Sequence, residues 1–96
     1  MLYLRRIKHK GLKRLYDEDD ESGVNSQWAP KLRRILSALN VICSPEEIVD
    51  LPGYRHPMKG NRKGTHSLTV TGNWRVTFEW DSEGPFNVNL EDYHGR

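Results

Sequence analysis

Residues 65–90, THSLTVTGNWRVTFEWDSEGPFNVNL, decide the fold class, because here hydrophobic residues recur at every second position. Leu68 and Val70 alternate with Ser67, Thr69 and Thr71. Gly72-Asn73 then has the composition of a two-residue hairpin turn, since both residues tolerate positive φ. Trp74, Val76, Phe78 and Trp80 alternate with Arg75, Thr77, Glu79 and Asp81. A second turn, Asp81 to Pro85, leads to Phe86, Val88 and Leu90 alternating with Asn87, Asn89 and Glu91. This pattern predicts a meander of three antiparallel strands. One face is aliphatic and aromatic and suits packing on helices, and the other carries Thr, Asn, Arg and Glu. Arg75 falls on the polar face with Asn87 and Asn89, as does Tyr93 if the last strand continues. Asp92 and His94 alternate the other way in a regular strand.

Upstream the period lengthens. Trp28, Leu32, Ile35, Leu36, Leu39 and Ile42 recur at steps of three and four, which predicts the longest helix of the chain, with Pro30 in its first turn and Asn25 or Ser26 as cap. Ser44-Pro45-Glu46-Glu47 reads as a second helix start of capping-box type, stopped by Pro52-Gly53. His9 to Tyr16 reads as a basic amphipathic helix weakened by Gly11, with His9 as cap or solvated residue, and Asp17 to Glu21 followed by Ser22-Gly23 reads as a loop. Met1 to Ile7 reads as a short strand or extended entry.

A chain of 96 residues with 35% hydrophobic residues and three Trp makes one domain, residues 1–96, with a modest core and no room for a large cofactor cavity. The single cysteine, Cys43, allows no intrachain disulfide and no four-cysteine zinc site. Placed among apolar residues at a helix end, it is expected to be a small buried hydrophobe. The four His form no i, i+4 pair, so no metal is expected. No apolar run is long enough to span a membrane, and no apolar stretch follows the basic N-terminus, so the cytoplasm is the expected location.

The net charge of +2 conceals a block pattern. Residues 1–16 carry six Lys/Arg and no acid, residues 17–21 are DEDDE, and residues 54–75 carry five basic residues, two histidines and no acid. Such segregated charge attracts charged partners. A basic face with titratable His suits RNA cleavage without a metal. That reaction needs a base for the ribose 2′-hydroxyl, cations for the phosphate and an acid for the leaving 5′-oxygen. His serves the proton transfers, and the Arg fork matches two phosphate oxygens. His56, Arg75, Tyr93 and His94 are options on residue type and placement. His66 shares the apolar strand face of Leu68 and Val70, which favours a satisfied core or edge histidine. A non-catalytic RNA or ribosome binder, and a protein-docking surface, use the same charges.

The runs LPGYRHPMKGNRKGTHSLTVTGNWRVTF and VNLEDYH, with KHKGLKRLY and KLRRILSAL upstream, resemble the HigB, or plasmid maintenance killer, toxins of the RelE superfamily over nearly the whole chain. The resemblance implies an α+β, RelE-like fold with helices packed on one face of a small antiparallel β-sheet and RNA on the other. It implies a bacterial, cytoplasmic toxin of a type II toxin–antitoxin system that cleaves messenger RNA in the ribosomal A site, without a cofactor. Its partners are then the ribosome and a HigA-like helix-turn-helix antitoxin, through which alone it meets operator DNA. The family's active-site pattern falls on His56, Lys59, Arg75, Asp92, Tyr93 and His94. Arg55, Arg62, Lys63, Asn87 and Asn89 are the expected further RNA contacts. Many relatives carry an aromatic where this chain has His66.

Overall fold

The computed structural model describes residues 6–54 and 64–92. In order these form helix α1 (Lys10–Glu18), a 3-10 turn (Ser26–Trp28), helix α2 (Ala29–Val41), a 3-10 segment (Pro45–Asp50), and strands β1 (His66–Thr71), β2 (Trp74–Asp81) and β3 (Gly84–Asp92). The strands pair antiparallel in the order β1-β2-β3, which is the predicted meander. Gly72-Asn73 makes the first turn. The second is tighter than expected: Asp81 pairs with Gly84, so Ser82-Glu83 alone form the turn and Pro85 already lies in β3 opposite Trp80.

Each sheet edge is met by extended chain at one bridge, which shortens the run of unpaired strand edge. Beside β3, Ile7 forms a parallel bridge with Val88, held by Lys8 N–H to Val88 O (2.7 Å) and Val88 N–H to Arg6 O (3.1 Å). Beside β1, Tyr54 bridges Leu68, and Thr69 N–H donates to Gly53 O at 2.8 Å. Gly53 is at φ 78°, and a Cβ there would stand 2.5 Å from Thr69 O, so this approach needs glycine twice over.

The helices pack on the apolar sheet face. Leu12 and Leu15 of α1 and Ala29, Leu32, Ile35, Leu36 and Leu39 of α2 are buried with Leu68, Val70, Val76, Phe78, Val88 and Leu90. Each fully buried Leu, Ile or Val contributes about 1.5–3 kcal/mol. Trp28 packs against Trp74 with ring centroids 5.1 Å apart, and the Tyr16 hydroxyl donates to Asn40 Oδ1 at 2.8 Å, locking α1 to α2. Pro30 lies in the first turn of α2, and Asn25 caps the preceding 3-10 turn by accepting from Gln27 N–H. The Glu47 carboxylate accepts from the backbone of Cys43 (2.9 Å) and Ser44 (3.1 Å), which holds its pKa down and realises the reaching-back half of the predicted capping box.

Three further expectations need correction. Helix α1 runs on through Asp17 and Glu18 and ends at Asp19, which takes the left-handed conformation at φ 55°. Its acidic block is partly neutralised, since Lys13 pairs with Asp17 and Arg33 with Asp19 and Glu21. Cys43 is exposed rather than buried, because extended Ile42 turns its own side chain into the core and the next residue outward. Phe86 leaves the apolar face. A bulge with Asn87 at φ 52° shifts the register, so that Phe86 stands opposite Glu79 and the Arg6 guanidinium lies over its ring at 4.6 Å.

Gly11 also has a role that helix propensity hides. A Cβ on it would meet Gly23 O at 2.1 Å. On propensity alone Gly11→Ala should stabilise α1 by about 1 kcal/mol. The contact reverses the sign, and we expect a loss of roughly 1–3 kcal/mol, read from urea denaturation midpoints. A more stable variant would contradict this packing.

Candidate active site on the polar face of the sheet

The face of the sheet away from the helices is built by strand alternation. Arg75, in central strand β2, has Thr69 of β1 on one side and Glu91 of β3 on the other. Thr77 lies between Ser67 and Asn89, and Glu79 is opposed by Phe86. Val76 and Phe78 are fully buried behind these residues, so the strand cannot roll to present another face.

Arg75 is half-buried, and its Nη1 donates to the carbonyls of Gly72 (2.7 Å) and Trp74 (3.3 Å). A guanidinium has five N–H donors in a rigid plane, so carbonyls at one nitrogen fix the direction of the whole fork. The first hairpin turn thus both ends β1 and aims the arginine.

Further along the same face lies a concave pocket of about 320 Å³, lined by Lys8, Thr77, Glu79, Asn87, Asn89 and Glu91 among others. Thr77 Oγ1 donates to Glu91 Oε2, and Asn87 Nδ2 donates to Glu79 Oε2 at 2.9 Å. The polar face is therefore mixed in charge. The two glutamates were not among the expected site residues, although the alternation itself places them here.

Of the sequence-derived site, Arg75, Asn87 and Asn89 share this face. Asp92 does not, because it pairs with Trp74 and so follows the alternation toward the helix side, where it is exposed. Arg55, His56, Lys59, Arg62, Lys63, Tyr93 and His94 lie outside the described residues. Their described neighbours are nonetheless placed. Tyr54 is bridged to β1, Gly64 lies two residues before the start of β1, and Asp92 stands opposite the residue next to Arg75.

The two described histidines behave differently. His9 caps α1, its Nδ1 accepting from Leu12 N–H at 3.1 Å, and burial lowers its pKa. The capping nitrogen must be unprotonated. Since the folded pKa lies below the ordinary value of about 6.5, the unfolded chain binds the proton more tightly. Stability from His9 is then complete above about pH 6.5 and declines as pH falls through and below that value. We expect urea midpoints to fall between pH 7 and 5, and His9→Asn to flatten the slope. His66 sits on the apolar face as expected, 5.3 Å from Phe78 by ring centroid, and burial lowers its pKa too. It is not a satisfied histidine, however: its Nδ1 is buried without a hydrogen-bond partner.

Among the described residues no helix is long and apolar enough to cross a membrane, and no group of three His, Cys, Asp or Glu gathers to hold a metal ion. A three-stranded antiparallel sheet backed on one face by helices is the architecture implied by the family resemblance. The model of the HigB-like toxins, RelE-like toxins of type II toxin–antitoxin systems, matches residues 5–94, and the chain belongs to that family. Membership implies an antitoxin partner. Among individual proteins, the chain is similar to the endoribonuclease HigB of Proteus vulgaris, with 36% identity over 91 residues, covering 95% of this chain and 99% of that protein.

Proposed function

We propose that this toxin is a messenger RNA endonuclease that acts on the ribosome in the bacterial cytoplasm and cleaves by attack of the ribose 2′-hydroxyl, without a metal. The observation that carries the reading is the placement of Arg75. It is fixed by main-chain carbonyls at the hairpin turn. Tyr54, which precedes segment 55–63, is bridged to the neighbouring strand β1, and Asp92, which precedes Tyr93 and His94, stands opposite the residue next to Arg75. Arg75 stabilises the charge that builds on the phosphate in the transition state. Lys59 and Arg62 hold the phosphate backbone. His94 transfers a proton. Asp92, exposed at the end of β3 opposite the residue next to Arg75, orients it from the sheet's end rather than from the open face. Tyr93 stacks on or hydrogen-bonds to the nucleotide, and His56 assists proton transfer or phosphate binding. The products are a 5′-hydroxyl and a 2′,3′-cyclic phosphate or the 3′-phosphate from its opening. The antitoxin is a HigA-like helix-turn-helix protein through which the toxin reaches operator DNA.

The similarity to an endoribonuclease supports the reaction class. The test is purified protein with message, with and without ribosomes, and the new ends mapped chemically. Cleavage only with ribosomes, leaving 5′-hydroxyl ends, is the expected result. Binding without new ends would make the chain a non-catalytic ribosome binder instead.

A further inference from the structure

The pocket between Glu79 and Glu91 has a chemistry that phosphate binding does not explain. Its volume of about 320 Å³ falls within the range of small-ligand sites, about 300–1,000 Å³. Two of its walls are carboxylates, which repel a phosphodiester. An RNA strand crossing this face therefore directs something other than phosphate into the pocket.

We propose that it is a base-reading subsite, selecting a nucleobase that carries an exocyclic amine. The inference rests on the endonuclease reading above and names a specificity element within it. Carboxylates and carboxamides are the groups that accept base amino N–H: Glu or Asp from cytosine, Asn or Gln from adenine. Uracil and hypoxanthine turn a carbonyl toward the same acceptors and are disfavoured. Glu79 is the principal acceptor. Its carboxylate is held in place by Asn87 Nδ2 at 2.9 Å, and the bulge at Asn87 is what brings that amide to it. Asn89 and Thr77 line the floor, and Lys8, carried in by the segment bridged to β3, places a positive charge at the pocket that suits the phosphate following the base.

The spacing fits a neighbouring nucleotide. Same-face residues on a strand are about 7 Å apart, so Thr77 is about 7 Å and Glu79 about 13 Å from Arg75 along β2. A phosphate at Arg75 thus leaves the base of an adjacent nucleotide within reach of Glu79.

The experiment replaces bases of the ribosome-bound codon one at a time by analogues lacking the amine: purine riboside for adenosine, inosine for guanosine, uridine for cytidine. At one position, removal of the amine should lower kcat/KM about tenfold. Glu79→Ala should lower kcat/KM on the amine-bearing message and cut the matched pair alike. Glu79→Leu, which keeps the bulk but has no acceptor, serves if a thermal melt shows that the alanine variant does not fold. Equal cleavage of every matched pair by the wild type, or discrimination surviving in the Glu79 variant, overturns the proposal while leaving the endonuclease reading intact. If the wild type cuts nothing, that reading fails. The pocket is then judged by anisotropy of labelled 2′-O-methyl oligonucleotides with and without the amine. A preference lost in the Glu79 variant upholds it, and equal affinities overturn it.

Discussion

Arg75→Ala is expected to slow cleavage of ribosome-bound message by about 10²–10³-fold in kcat, the usual effect of removing one preorganised transition-state donor. The loss should appear in kcat more than in KM, because the proposed backbone contacts at Lys59 and Arg62 remain. Arg75→Lys should recover little. A lysine brings the charge but neither the planar fork nor the fixed orientation that Gly72 and Trp74 impose through Nη1. Stability should move by no more than about 1 kcal/mol, since the side chain lies at the surface of a strand whose buried face is unchanged. Single-turnover rates on programmed ribosomes, with urea denaturation as control, make the measurement. Cleavage by the alanine variant at the wild-type rate would remove Arg75 from the mechanism.

The second large effect concerns folding. Phe78 is fully buried on the back of the central strand, among side chains from both helices and both neighbouring strands. Phe78→Ala should cost about 3–5 kcal/mol, through lost burial and the cavity left behind. A domain of this size has a total stability of about 5–15 kcal/mol, so the variant should sit near the edge of unfolding at 37 °C. Trp80→Ala should cost less, because Trp80 is half-buried and only borders the core. Equilibrium unfolding in urea checks both. Equal losses for the two would mean that the core is not centred on Phe78.

The period-two run of 65–90 revealed the meander, and the three-and-four spacing of Trp28 to Ile42 revealed α2, because both patterns are properties of a single segment facing one core. What stayed hidden depended on a second segment. Phe86 kept perfect alternation in the sequence, yet the bulge at Asn87 placed it opposite Glu79, and a bulge is defined only by the pairing partner. Gly11 read as a helix weakness because the main chain it admits, Gly23, is twelve residues away. Cys43 sits in an apolar neighbourhood, but one extended residue before it decided which way it faced. Within the candidate site, strand parity assigned Arg75, Asn87 and Asn89 to the polar face. The same parity put Glu79 and Glu91 there, but attention to positive charge passed over them.

The bridge between Ile7 and Val88 bears on the order of events in synthesis. Ile7, entering α1, finds its partner Val88 only 81 residues later, and Arg75 likewise gains its neighbour Glu91 only with β3. Helices α1 and α2 can form locally, but contacts of such wide sequence separation close late in folding. A chain still growing through β2 thus lacks one wall of its own site. The candidate site is therefore complete only once β3, which pairs with both Ile7 and Arg75, has been made.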